Sequence, residues 1–288
     1  LAVKAGLGLG RVACVVLLLG STLGLSRLVL GRLPRVGGRL LWRWLRNWLD
    51  DGRALGQAWR LSDAFGRAVA VLCALILAST LLLALAPALA FDALVSHLTL
   101  PQLYWQQGRV SYLPEMIMSG MPQNAEMLYT WAIGLAGAPA AAALGWACGV
   151  LALVGLWGWV AERLGFRAAW VGVASLLCGY SLAALLAWAY VDWLALLFGW
   201  ATLVWLERWR LAGEQRALLL AGIFTGLAMG VKYTSAILAL VGVGVVAWHA
   251  LRRRQAFLPA ALRYGVAAVA LSLAWFLKNW LTTSNPLY

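Results

Sequence analysis

Charge is scarce in this 288-residue chain, and negative charge is the scarcest. Only 11% of the residues are charged, and 10 Asp and Glu stand against 23 Lys and Arg. An ordinary soluble domain carries about 25% charged and about 45–50% apolar residues. Here 64% of the residues are hydrophobic and the mean hydropathy is +0.83. Such a composition excludes a typical soluble domain, because the surface of a fold this apolar needs lipid as its solvent.

Cysteine is also sparse, and its spacing excludes two further classes of protein. The chain has four cysteines, and no two of them are arranged as Cys-x-x-Cys. A disulfide framework and a cysteine metal centre both need paired spacings in polar segments. Cysteines inside apolar stretches are instead predicted to be small buried hydrophobic residues. They are Cys14, Cys73, Cys148 and Cys178.

The excess of positive charge lies between apolar runs, which favours a membrane surface over nucleic acid as its partner. Residues 31–67 carry eight arginines interleaved with tryptophans. Arg39, Arg43 and Arg46 recur at the spacing of one helix face, and Leu41, Trp44 and neighbouring apolar residues occupy another. The pattern predicts an amphipathic helix that lies on an anionic membrane surface.

Apolar runs of about 20 residues predict membrane-spanning helices. The chain holds eight candidates, of which two are short, so we predict an all-α transmembrane bundle. Residues 1–66 would form a first span and the basic segment, and residues 67–288 the main membrane module. A loop at 91–123 is expected to contain a short interfacial helix at 94–107, and a helix at 125–137 should not cross. The predicted spans are 8–30, 68–90, 139–164, 168–191, 193–209, 217–231, 234–251 and 259–281.

The arginine-rich loops predict the orientation, since cytoplasmic loops of membrane proteins are enriched in Lys and Arg. Four such segments fall on one side of the predicted bundle, which places the protein in the inner (plasma) membrane with those segments inside. The terminal residues, Leu1 and Tyr288, indicate a piece of a longer protein. The groups left on the outer side are Asp92, His97, Arg109, Glu115, Glu126, Asp192, Lys232 and Lys278.

Two outer acids have both a structural and a catalytic interpretation. Asp92 begins the polar loop, where it can cap the helix that follows or act as a catalytic base. Asp192 lies between two apolar runs in AYVDWLALLF, where it can form an interfacial turn beside Tyr190 and Trp193 or serve as a second acid. Charges that abut apolar spans are costly to place, so a functional role is favoured for both.

The outer cations leave similar alternatives. Lys232 follows a glycine-spaced half-helix and can anchor a hairpin at the interface or hold a lipid phosphate. Lys278 and Asn279 end the last span and can form an interfacial anchor. Glu126 begins a helix, where the dipole favours an acid. His97 with Glu126 leaves a divalent metal as an alternative, but no recognisable ligand spacing supports a metal site.

Four motifs follow one another in order along residues 67–288. The loop carries an aromatic-Asp-Ala group, a His-Leu pair, a Gly-Arg pair and a Pro-x-x-x-Glu-x-Leu segment. The later motifs are YVDWLALLF, a Gly-x-x-x-Gly-x-Lys-Tyr-Thr hairpin and the terminal WFLKNWLTTSNPLY. Their residues include Phe91-Asp92-Ala93, His97-Leu98, Gly108-Arg109, Pro122 to Leu128, Asp192, Lys232-Tyr233 and Lys278-Asn279.

This succession resembles the GT-C superfamily of membrane glycosyltransferases, and in particular bacterial enzymes similar to protein O-mannosyltransferases and to the lipid A aminoarabinose transferase. The resemblance implies a polyprenyl-phosphate sugar donor, a lipid, glycan or protein acceptor, and an extracytoplasmic active site. It implies Asp92 as the base and Asp192 as a second acid of the site. Substrate contacts are implied for His97, Arg109, Glu126, Lys232, Tyr233, Lys278 and Asn279.

Two other functions remain as alternatives to an inverting glycosyltransferase. The interrupted helices around Lys232 suit a transporter or flippase of lipid-linked substrates. The basic segment at 31–67 suits a non-catalytic membrane scaffold. Neither alternative explains why the acids gather at one outer face.

Overall fold

The computed structural model describes residues 56, 59–254 and 256–287. The predicted span at 8–30 and most of the basic segment at 31–67 lie outside these residues. Within the described part every regular element is helical, which confirms the all-α prediction there. The elements before the long central helix are α1 (Ala64–Leu85), a π-helical turn (Ala93–His97), α2 (Thr99–Gln107), a 3-10 turn (Ile117–Gly120) and α3 (Asn124–Ala136).

The remaining elements begin with the long central helix. Among the residues that the structure describes, four helical segments are long and apolar enough to span a membrane, and the pair Tyr180–Ala187 and Asp192–Ala212, bent by 106°, would add a fifth span if counted as one. The chain is therefore a helical membrane protein. The elements are α4 (Ala138–Leu177), α5 (Tyr180–Ala187), α6 (Asp192–Ala212), α7 (Gln215–Met229), a 3-10 turn (Tyr233–Ser235), α8 (Ala236–Arg253) and α9 (Phe257–Thr283).

The predicted count of eight spans stays a prediction, because some of the predicted spans are short helices in the structure. The 15 residues of α7 rise about 22 Å, less than the roughly 30 Å of a hydrocarbon core. The 13 residues of α3 rise about 20 Å, in keeping with a helix that does not cross. The break expected between 139–164 and 168–191 falls at Gly165, whose φ is 84°. The stretch 168–191 is not one helix, because α4 ends at Leu177 and the chain turns again after Ala187.

The described chain divides into two compact units. One takes residues up to Ser79 together with Leu156–Tyr180, and the other takes Thr80–Gly155 and Ser181–Tyr288. In the first unit Arg167 lies 3.7 Å from the Asp63 carboxylate and over the ring of Phe65. All nine predicted site residues belong to the second unit.

Helix α7 is the centre of the second unit and packs against α6 and α9. Its glycines allow the contact, since a Cβ built at Gly222 would lie 2.4 Å from the Tyr264 carbonyl oxygen and one at Gly226 would lie 2.2 Å from that of Ala268. Small residues let helix backbones approach closely in membranes. The glycines of α7 therefore serve helix packing.

A buried chain of hydroxyl groups joins the same helices. Thr225 Oγ1 lies 2.8 Å from the Tyr264 hydroxyl and 3.3 Å from Thr202 Oγ1, and the Tyr264 hydroxyl donates to the Leu238 carbonyl at 2.9 Å. These polar groups are buried but satisfied, as buried polar groups in a stable fold must be. Hydrogen bonds and close packing thus fix α6 to α9 as one frame, and the site lies at one end of that frame.

Candidate functional site

The start of α3 is docked onto the ends of α7 and α9 by one side chain. The Asn124 amide donates to the Leu227 carbonyl at 3.1 Å and accepts from the Trp275 indole at 2.7 Å. Its backbone N–H donates to the Gly230 carbonyl at 2.8 Å, and a Cβ at Gly230 would collide with the Asn124 side chain. The glycine is thus required for this contact. The docking fixes where the next acid, Glu126, begins its helix.

Glu126 is buried beside His97. The Nδ1 atom of His97 lies 2.7 Å from Oε1 of Glu126, and the glutamate is only 5% exposed. The other carboxylate oxygen, Oε2, has no hydrogen-bond partner among the described residues. A buried oxygen without a donor is costly, so this atom is suited to receive a hydrogen bond from a bound molecule. The structure therefore brings together two of the predicted substrate-binding residues.

Asp192 and Lys232 form an ion pair across 40 positions of sequence. Lys232 Nζ lies 2.5 Å from Asp192 Oδ1, and the two side chains remain 44% and 34% exposed. Asp192 is the first residue of α6, and Lys232 stands in extended backbone between α7 and the following 3-10 turn. A charge-assisted hydrogen bond of this kind fixes an ammonium group in place while leaving it accessible. Asp192 is thus a tertiary partner as well as a residue near a turn.

Asp92 is exposed at the start of the loop, and its side chain makes no capping hydrogen bond. Its backbone is already helical, with φ −64° and ψ −34°, whereas a capping residue has non-helical torsions. The capping interpretation of Asp92 is therefore wrong. The carboxylate instead is a near neighbour of the Tyr190 side chain. Asp92 is therefore an accessible carboxylate with Tyr190 as its neighbour.

Tyr190, which the sequence predicts only as an interfacial aromatic, contacts several of these groups. Its ring lies 5.8 Å from the His97 ring, and its carbonyl accepts a hydrogen bond from the Tyr129 hydroxyl at 2.7 Å. Burial raises the pKa of Tyr129 well above its ordinary value, so that hydroxyl stays protonated and donates. Tyr190 thus links Asp92, the His97–Glu126 pair and the turn that carries Asp192. The sequence signal that could have identified Tyr190 as a site residue was its position two residues before Asp192.

Lys278, Asn279 and Tyr233 hold the loop. The Lys278 ammonium donates to the Ser119 carbonyl and, at 3.3 Å, to Gln123 Oε1. Asn279 is fully buried, and its Nδ2 lies 2.6 Å from the Gly120 carbonyl and 3.0 Å from the Tyr233 hydroxyl. The contacts favour a positioning role for Asn279.

The buried Gln123 is shared by two donors. Besides Lys278, the Tyr104 hydroxyl donates to its Oε1 at 3.1 Å. Burial raises the pKa of Tyr104, which keeps this hydroxyl protonated. Gln123 itself is 1% exposed. The sequence assigned no role to Gln123, because its role depends on contact with Lys278, 155 positions away.

Arg109 is not brought into this group. It is exposed, and no hydrogen bond or ion pair connects it with the other candidate residues in the part of the chain that the structure describes. Gly108, with φ 64°, ends α2 in the left-handed region and turns the chain outward. The predicted grouping of Arg109 with the outer cluster is therefore not seen. Its local position, directly after a helix C-cap glycine, accounts for its exposure.

The donor set for a metal ion is also incomplete. Among the described residues no group of three or more His, Cys, Asp and Glu side chains is arranged to hold a metal ion. His97 and Glu126 supply two ligands, fewer than a typical zinc site needs. The pair is better explained by its mutual hydrogen bond.

Comparison with known proteins gives no relative: no protein-family model matches the chain, and neither a curated protein nor a solved structure matches it. Function must therefore be argued from the arrangement itself. That arrangement holds an accessible carboxylate, an accessible acid–lysine pair and a buried acid–histidine pair at one end of a membrane helix frame.

Proposed function

We propose that the protein is a membrane glycosyltransferase that moves a sugar from a polyprenyl-phosphate donor to an acceptor hydroxyl at the extracytoplasmic face. The observation that carries the proposal is the exposed Asp92 carboxylate beside Tyr190, which lies two positions before Asp192 of the Asp192–Lys232 pair. A base and a cation for a phosphate leaving group are the two groups that such a reaction needs. The resemblance to GT-C enzymes supports the same assignment.

Asp92 is the base in this scheme. It accepts the proton of the acceptor hydroxyl as that oxygen attacks the anomeric carbon. The new carbon–oxygen bond forms on the face opposite the phosphate, and the bond to the phosphate oxygen breaks with its electron pair going to that oxygen. The configuration at the sugar carbon is therefore inverted. A positioned base contributes about 10²–10⁴-fold to such a reaction.

Lys232 stabilises the phosphate that leaves. Its ammonium has three donor hydrogens, and the pair with Asp192 uses one of them. The remaining donors can meet phosphate oxygens as their negative charge grows, while Asp192 holds the ammonium in place. The Lys278 ammonium donates to Ser119 and Gln123, so its contribution is to position the loop beside the site. Glu126 Oε2, which has no hydrogen-bond partner within the described part of the chain, is assigned to a donor or acceptor hydroxyl.

Transport of a lipid-linked substrate is the second candidate. One observation favours it: α5 and α6 are bent by 106° at a short break, and α7 is a short apolar helix. Broken helices of this kind line substrate sites in secondary transporters. The two functions differ in whether a covalent bond must change.

The deciding experiment measures sugar transfer in membranes that carry the full-length protein, with a radiolabelled polyprenyl-phosphate sugar pool. Asp92→Asn is expected to lower transfer by about 100-fold or more, since it removes the base but keeps the shape of the side chain. Glu115→Gln is the matched control, because Glu115 is an exposed acid of the same loop. It should transfer as the parent does.

Two results would overturn the assignment. Equal transfer by parent and Asp92→Asn would remove Asp92 from the chemistry. If no sugar is transferred while labelled lipid crosses the bilayer of reconstituted vesicles, the transporter interpretation replaces the enzyme.

A further inference from the structure

A cavity of about 440 Å³ lies in the hairpin between α8 and α9, at the end of the frame remote from the candidate site. It opens between the last turns of α8 and the first turn of α9. The alanines leave space where larger side chains would fill the hairpin, and an apolar residue from each helix forms a wall. The lining residues are Ala247, Ala250, Leu251, Arg254 and Phe257.

The cavity lies where phospholipid headgroups are expected. Both Tyr233–Arg253 and Phe257–Thr283 are candidate membrane spans, and the cavity is at the point where the first ends and the second begins. The end of a span marks the boundary between hydrocarbon and headgroups. An apolar pocket at this level is therefore within reach of both acyl chains and headgroups.

The charge around the cavity is positive and lacks acidic partners. Arg252, Arg253 and Arg254 are consecutive, and the sequence from position 236 to 288 contains neither Asp nor Glu. Arg252 lies over its own helix's Trp248, 4.4 Å from the ring centroid. Within the described ranges neither Arg253 nor Arg254 forms an ion pair. By contrast, Arg208 at the neighbouring turn lies 3.5 Å from the Glu214 carboxylate.

We propose that this cavity binds an anionic phospholipid, with the phosphate at Arg254 and an acyl chain along Ala247, Ala250 and Phe257. The occupant follows from the lining, which is four apolar residues and one guanidinium group. Arginine is well suited to phosphate oxygens, and basic pockets between transmembrane helices recognise anionic headgroups. A soluble phosphate would use the guanidinium but leave the apolar wall uncovered. The site is separate from the proposed transferase chemistry and stands without it.

The test uses the full chain, purified in neutral detergent, and follows thermal unfolding while phosphatidylglycerol or phosphatidylcholine is added. Near saturation, phosphatidylglycerol should raise the Tm by about 5 °C more than phosphatidylcholine does. Arg254→Gln should weaken the apparent affinity for phosphatidylglycerol about tenfold, as expected for the loss of one charge-assisted contact. Arg109→Gln is the control, because it removes one exposed arginine at the other end of the frame.

A second variant tests the acyl part of the site. Ala247→Phe fills the cavity without altering charge, and it should reduce the phosphatidylglycerol effect while leaving the Tm in phosphatidylcholine unchanged, which also shows that it folds. Glycerol 1-phosphate, the headgroup alone, should give little protection. The proposal is overturned if both lipids protect equally, if Arg254→Gln and Arg109→Gln lose the same protection, or if the headgroup alone reproduces the effect.

Discussion

The two ends of the second unit use charge in opposite ways. At the site end, Lys232 meets Asp192 over 40 positions and Lys278 meets the loop carbonyl of Ser119 over 159. At the arginine end the contacts of Arg208 and Arg252 are local, although Arg263 donates to Gln215 Oε1 over 48 positions. Arg252 stacks on Trp248, four residues earlier, and Arg208 lies over Trp205 and near Glu214 on the same turn.

This difference shows which charges the tertiary structure has selected. Local pairs on exposed helix ends contribute little and form wherever the sequence places the partners. Long-range pairs form only when the fold brings distant segments together. Placing accessible charges at the edge of an apolar frame costs free energy, so such charges indicate a function. The site end is therefore where substitution should affect sugar transfer, and the locally paired Arg208 should tolerate the same chemical change.

The largest expected contrast compares Lys232→Met with Arg208→Met, which remove one cation at each end. Lys232→Met deletes the proposed phosphate contact and leaves Asp192 without its partner, so transfer should fall about 100-fold or more. Arg208→Met breaks a pair whose side chains are 57% and 49% exposed, so stability should change by less than about 1 kcal/mol and transfer should not change. Transfer rates at matched expression measure both. Equal losses at the two ends would refute the contrast.

A second contrast concerns the frame that joins the ends. A Cβ at Gly226 would lie 2.2 Å from the Ala268 carbonyl oxygen, whereas one at Gly244 meets nothing within 4 Å. Gly226→Ala must push α7 from α9 and should cost about 1–3 kcal/mol. Gly244→Ala should be neutral or slightly stabilising, since alanine favours a helix. Thermal unfolding in detergent compares the two, and similar Tm values would show that the close approach is not required.

The smallest expected effect tests the neighbour of Asp92. Tyr190→Phe removes the hydroxyl beside the carboxylate but keeps the ring near His97. The loss of one hydrogen bond to a charged group should lower kcat about tenfold and leave the KM for the donor unchanged. Tyr180→Phe is the control, because Tyr180 is 80% exposed. A change in KM alone, or the same loss in both variants, would assign Tyr190 to binding or to general stability instead.

Part of the candidate site was predictable from sequence because membrane topology sorts residues by face. Alternating apolar runs and arginine loops placed Asp92, Asp192 and Lys232 on one side. In the structure Lys232 pairs with Asp192, and Asp92 lies beside Tyr190. The same topology rule grouped Arg109 with them. That rule assigns a residue to one side of the membrane, but it does not give the distances between residues on that side. Tyr190 was missed since its hydroxyl acquires a partner only when residues nearly 100 positions apart meet.

Local signals also failed where two interpretations shared one pattern. An acid before a helical stretch predicts a cap, but the Asp92 backbone is already helical, so the following turn does not need its side chain. Lys278 at the end of a span predicts an interfacial anchor, but the loop carbonyl of Ser119 occupies its ammonium. For Lys278 the outcome depended on a distant segment, whereas for Asp92 it depended on the local backbone torsions.

By itself the sequence determined that the chain is a helical membrane protein, because a backbone in hydrocarbon must satisfy its own hydrogen bonds and apolar length sets the spans. It also determined where charges stand along the chain, and through the glycines where helices can approach. Only the tertiary structure decided which charges pair, which acid stays accessible and which lysine holds the loop. Those outcomes depend on contacts of a few ångströms between segments far apart in sequence, and no local pattern specifies them.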